Sequence, residues 1–161
     1  MNTRSEPALL ATTLALLVLT APGAQAAGQV DVTWVQPETY ADIGRSAIDR
    51  DRTLQSLGEH LHKLAQRLPD GQVLKIVVTD LDLAGEIRPW GWHDVRVLRG
   101  RADWPQMSLR YTLSADGRTL KSGDAKLSDM SYLQRPREGE LGYEKHMLDD
   151  WFKAEFFQTS P

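Results

Sequence analysis

Leu54, Leu57, Leu61, Leu64 and Leu68 constrain this chain more than any other pattern in it. Spacings of three and four residues bring their side chains onto one stripe of a helix. The segment from about 50 to 68 is therefore predicted to be an amphipathic helix that must bury its stripe against another layer. Asp49 is the predicted N-cap, because a carboxylate oxygen there accepts from the free first-turn amides. Pro69-Asp70-Gly71 ends the helix.

A second helix is predicted from about 143 to 157. Tyr143, Met147 and Trp151 form one stripe, and Leu148, Phe152 and Phe156 form the adjacent one. Together they make a wide apolar face. Between the helices the period changes to two. Leu74, Ile76 and Val78 share one side of a strand predicted over 73–83, and the apolar positions then move to Leu81 and Leu83. Such a change of phase predicts a bulge near Asp80. Gly85, Pro89 and Gly91 predict a loop over 84–91, with a short strand at Val95, Val97 and Leu98. Met107, Leu109, Tyr111 and Leu113 alternate with polar residues, as in a half-buried antiparallel strand. Asp116-Gly117 follows as a hairpin turn, since both residues tolerate positive φ, and a partner strand runs to about 127. With an opening strand at 30–35, the fold class is α+β. The expected architecture is a two-layer sandwich, a mostly antiparallel sheet of about four to five strands with two main helices packed on one face.

The start of the chain has a different character. Arg4 precedes an uncharged apolar run, Pro22-Gly23 breaks it, and Ala24-Gln25-Ala26 offers the small-x-small pattern of a cleavage site. Residues 1–26 are thus predicted to be a secretory signal peptide, leaving 27–161 as one α+β domain, periplasmic or secreted. The apolar run of about 14 residues is shorter than the roughly 20 needed to cross a bilayer, so no stable membrane anchor is expected after cleavage. The chain has no cysteine, which excludes disulfides, thiol nucleophiles and thiolate metal sites. A formal net charge of -3 does not supply the field expected of a nucleic-acid binder. No cofactor is expected, and no oligomeric state is specified.

Several phrases carry a resemblance. Val32-Thr33-Trp34 precedes Pro37-Glu38 and Tyr40-Ala41-Asp42-Ile43. Asp80-Leu81-Asp82-Leu83-Ala84-Gly85, Trp104-Pro105, Leu127-Ser128-Asp129-Met130 and Tyr143-Glu144-Lys145 come next, and Met147-Leu148-Asp149-Asp150-Trp151-Phe152 closes the set. Together they resemble the bacterial family catalogued as domain of unknown function 3016, the last motif being the most specific. The resemblance implies one exported domain over essentially all of 27–161. It implies no activity, cofactor or site residue.

Candidate site residues fall in two groups. Trp90, Trp92 and His93 lie in Pro89-Trp90-Gly91-Trp92-His93-Asp94, with Arg96 and Arg99 just beyond and Trp104 nearby. Exposed indoles make contact platforms and interface hot spots, and arginines recognise acidic partners. The same indoles could instead cover an open edge of the core, and the same arginines could protect a sheet edge from pairing. Asp80 and Asp82 form the second group. Two apart on a strand, they could hold a hard cation or share one proton; alternatively one bonds amides at the bulge while the other pairs with arginine. His60 and His62 diverge on a helix and form no zinc-protease motif, and there is no Gly-x-Ser-x-Gly elbow. Asp149 and Asp150 point apart on a helix and are expected to be structural. The expected function is non-enzymatic contact with another envelope protein. Two alternatives stay open: a glycan or small-ligand binder using Trp90 and Trp92, and a hydrolase using Asp80, Asp82 or His93.

Overall fold

The computed structural model describes residues 27–158 apart from 92, 101 and 137. The expected signal peptide and Trp92 therefore lie outside the described residues. Strand β1 (Gln29–Trp34) leads through a short 3-10 turn to helix α1 (Ala47–Ala65). Strands β2 (Gln72–Asp82), β3 (Glu86–Trp90), β4 (His93–Val97), β5 (Gln106–Ala115) and β6 (Arg118–Ser128) follow. A second 3-10 turn (Tyr132–Gln134) precedes helix α2 (Gly142–Phe156). The main sheet has the order β1-β2-β5-β6, while among the described residues β3 and β4 pair only with each other. The fold is an α+β sandwich. Among the described residues no helix is long and apolar enough to cross a membrane.

β1 and β2 run parallel, in register from Gln29↔Val73 to Trp34↔Val78. Parallel neighbours need a crossover connection, and α1 supplies it. The helix starts earlier than expected. Ser46, not Asp49, is the N-cap, and its Oγ accepts from the Asp49 amide at 3.1 Å. Asp49 is instead the third residue of the first turn, and its Oδ2 accepts from the Ser46 hydroxyl at 2.5 Å. Leu54, Leu57, Leu61, Leu64 and Ala65 are buried, so the leucine stripe faces the sheet as expected.

β2 is the central element. Leu74, Ile76 and Val78 are fully buried, the pairing with β5 slips between Val78 and Asp80, and Leu81 and Leu83 are buried beyond the slip. The expected bulge is present where the apolar phase changes. β5 buries Met107, Leu109, Tyr111 and Leu113 on the same face and turns into β6 at Asp116 (φ 51°) and Gly117 (φ 72°). Two successive positive φ values match the twist of a tight hairpin. The opposite face, with Lys75, Thr79 and Arg110, is exposed.

α2 lies beside α1 on the apolar face. Lys145 Nζ donates to Ser56 Oγ at 3.0 Å, and His60 Nε2 meets Asp149 Oδ1 at 2.9 Å. Tyr111, Trp151 and Phe156 pack edge to face at 5.6–5.7 Å between centroids. Gly123 stands directly opposite Tyr111 on β6, and a Cβ there would lie 3.0 Å from the Tyr111 hydroxyl oxygen. Tyr111 lies across the glycine because no side chain contests the space.

A second expectation is corrected. The segment 84–91 is not all loop, since Glu86–Trp90 is a strand paired with His93–Val97. Pro89 lacks an amide proton and argued for a loop, but a two-stranded ribbon has an outer edge on every strand, where proline is tolerated.

Two substitutions test this packing. Trp151 is only 8 % exposed, and Trp151→Ala should lower stability by about 3–5 kcal/mol, read from the urea midpoint. Gly58 lies within α1, and a Cβ there would meet nothing within 4 Å. Gly58→Ala should raise stability by about 0.5–1 kcal/mol, seen as a higher Tm.

Candidate functional site

Residues directly opposite each other in an antiparallel pair share a face. Glu86↔Val97 and Arg88↔Val95, continued by Trp90, therefore set one face of the β3–β4 hairpin, and Ile87↔Arg96 the other. The first face is turned to solvent. Trp90 is 72 % exposed and Val95 36 % exposed, and with Arg88, Pro89 and Val97 they line a shallow depression of about 620 Å³. Its rim is charged. Glu86 Oε2 accepts from Arg88 Nη2 at 2.9 Å and from Arg99 Nη2 at 3.0 Å.

The second face is fastened to the rest of the protein. Arg96 donates from Nε to the Ala84 carbonyl, from Nη1 to the Glu140 carbonyl at 3.1 Å, and from Nη2 to Glu144 Oε1. Glu144 on α2 is completely buried, and its Oε1 also accepts from the Ala84 amide at 2.9 Å. Of the two arginines expected on a contact surface, Arg96 is thus turned inward with its guanidinium engaged inside the protein. Arg99 stays outside and half-exposed.

A second fastening holds the connection after β4. Asp103 accepts from the Gly100 amide at 2.8 Å, from the Tyr132 hydroxyl at 2.9 Å, and from the Arg99 amide. Burial opposes ionisation of Asp103, but these donors outweigh it and hold its carboxyl below the usual range. Burial and the Asp103 carboxylate push the Tyr132 phenol up to about 12. Tyr132 is fully buried and packs edge to face on Tyr143 at 4.9 Å. Trp104 is half-buried against this pair, which makes it a covering residue and not a platform.

Beneath the hairpin a cleft of about 730 Å³ separates its inner face from the start of α1. Leu83, Ile87 and Leu141 line it together with Arg45, Arg52 and Glu140.

Asp80 and Asp82 lie on the far side of the bulge. Asp80 is exposed and Asp82 half-buried. Burial, then the nearby carboxylates of Asp42 and Asp80, raise the Asp82 carboxyl above its ordinary value, with Arg96 acting against them. The structure therefore brings Asp42, absent from the sequence candidates, into the field of the other two. Among the described residues no group of three or more His, Asp or Glu side chains is arranged to hold a metal ion. The side chain of His93 lies outside the described residues. Asp149 and Asp150 are engaged separately, with His60 and with Arg135.

Glu144 is the residue that sequence reasoning passed over. Its signal was present: it sits four residues before Leu148, in line with the stripe of Leu148, Phe152 and Phe156. A charge on a buried stripe needs a buried partner, although its identity depends on long-range contacts.

These features define a two-layer α+β domain carrying an appended hairpin, apolar on its outer face and ionically fastened on its inner one. The chain belongs to the family described as Protein of unknown function (DUF3016), whose model matches residues 28–154. No curated protein and no solved structure matches it.

The two arginines should respond differently to truncation. Arg96→Ala leaves Glu144 buried without its partner and should destabilise by about 3–5 kcal/mol. Arg99→Ala removes an exposed pair and should change stability by less than about 1 kcal/mol. Urea midpoints of the two variants check both values.

Proposed function

We propose that this protein is a non-catalytic contact module of the bacterial envelope, and that the outer face of the β3–β4 hairpin is its contact surface for another envelope protein. The observation that carries this reading is Trp90, 72 % exposed on a face it shares with Val95 and Val97. A packed domain has no internal use for an indole held out in solvent, whereas tryptophan is among the residues most enriched at interface hot spots. Apolar surface rimmed by charge is the usual anatomy of an interaction patch, and Glu86, Arg88 and Arg99 form that rim. The predicted signal peptide at 1–26 supports an envelope location.

Mild crosslinking in native cells, followed by mass spectrometry of what is bound, identifies the partner, and purified components then give its affinity. Trp90→Ala should weaken that affinity by about thirtyfold or more, the scale of a hot-spot truncation of roughly 2 kcal/mol. Its Tm should stay within a degree or two of wild type. Unchanged affinity would remove the hairpin from the contact, and a large loss of Tm would make Trp90 a covering residue.

A second reading has its own observation, the cleft of about 730 Å³ under the hairpin. Clefts of that size suit small ligands. Quenching of tryptophan fluorescence by cell-wall fragments, with no protein captured, would favour it.

A further inference from the structure

We infer that the free edge of β1, with the groove between it and α1, accepts an extended segment of another polypeptide carrying apolar side chains at alternate positions and basic residues at its ends.

β1 is the terminal strand of the main sheet and, among the described residues, pairs only with β2. Alternate backbone N–H and C=O groups of a terminal strand face away from its neighbour, and they are the template an added strand uses. The two edges of this sheet are defended differently. β6 carries Arg118, Lys121, Asp124 and Lys126, all exposed, and such charges discourage pairing. β1 has the sequence QVDVTW, with one charge, no lysine and no proline.

Beside that undefended edge lies a groove of about 390 Å³. Val30, Val32 and Trp34 line it from the strand, and Leu54 and Gly58 from the helix. An added strand would place alternate side chains against these residues. Gly58 is the independent observation. Glycine weakens a helix interior, and a Cβ at this position would meet nothing in the protein. Internal packing does not require a glycine there, and a longer side chain would project into the groove and crowd an occupant.

Charge selects the occupant. Asp31, Glu59 and His62 also line the groove, and among the described residues its walls hold no lysine or arginine. A strand ending in lysine or arginine complements the two carboxylates. A second copy of this chain does not, since edge-to-edge pairing would bring Asp31 and Glu59 of both copies to one seam.

The test uses the protein as purified from its host and the acetylated peptide Lys-Val-Thr-Val-Thr-Val-Lys. Two control peptides replace the terminal lysines by glutamate or N-methylate alternate amides. Amide hydrogen exchange over residues 29–34 should slow at least tenfold with the basic peptide, with β6 and the hairpin unchanged. Both controls should bind at least tenfold more weakly. Gly58→Leu should abolish the protection while keeping a cooperative transition at or above the wild-type Tm, and Gly58→Ala, which raises Tm, should weaken binding in part. The inference is overturned if β1 gains no protection at millimolar peptide, if protection maps to β6 or the hairpin, or if both charge forms bind equally. It is also overturned if the protein dimerises through β1 with no peptide present.

Discussion

The slip in β2 between Val78 and Asp80 governs how the two halves of the structure meet. Side chains on a strand alternate strictly, so without an extra residue Leu81 and Leu83 would face solvent whenever Leu74, Ile76 and Val78 face the core. The inserted residue reverses the phase and lets one long strand feed the main core along its whole length. The irregular backbone there is stitched by a tyrosine. The Val35 amide donates to the Tyr40 hydroxyl at 3.0 Å, and that hydroxyl donates to the Val78 carbonyl at 2.8 Å. The strand thereby ends at Asp82 with Leu83 and Ala84 still inside, where the hairpin begins.

From that point the architecture depends on polar contacts instead of a shared sheet. β3 and β4 do not hydrogen-bond to the other four strands. What positions them is the Arg96–Glu144 pair inside and the Asp103–Tyr132 contact at the exit. Gly85 makes the approach possible. With φ at +80° and a would-be Cβ only 2.5 Å from the Val97 carbonyl oxygen, this turn has room for no side chain. The close crossing of Gly85 over β4 brings Arg96 within reach of both Ala84 and Glu144.

Most of the main layer was legible from sequence because its determinants are local. The leucine stripe, the alternation of β5, the Asp116-Gly117 turn and the phase change in β2 each reflect a period or a turn preference within a dozen residues. The misreadings have equally definite causes. Ser46 and Asp49 are both good caps, and only the backbone path through 44–46 decides between them. Pro89 and two glycines imitate a loop, and the ribbon they belong to becomes visible only once β4 is seen to pair with it. Arg96 and Arg99 look alike in sequence, yet one is inside and one outside because strand parity places Arg96 with Ile87 facing α2. The candidate contact surface was legible as a cluster of residue types. Its two-sidedness was not, since Glu144 comes from a helix 48 residues further on.

The fastening of the hairpin sets unequal tolerances on its two faces. On the inner side, Arg96 has three acceptors, so nearly every substitution disturbs Glu144 and Ala84 together. On the outer side, Arg88, Trp90 and Val95 are exposed, and exposed positions away from buried contacts tolerate substitution with little change in stability. The hairpin is thus a surface whose chemistry can be rewritten, by natural variation or by design, without re-solving the core that carries it.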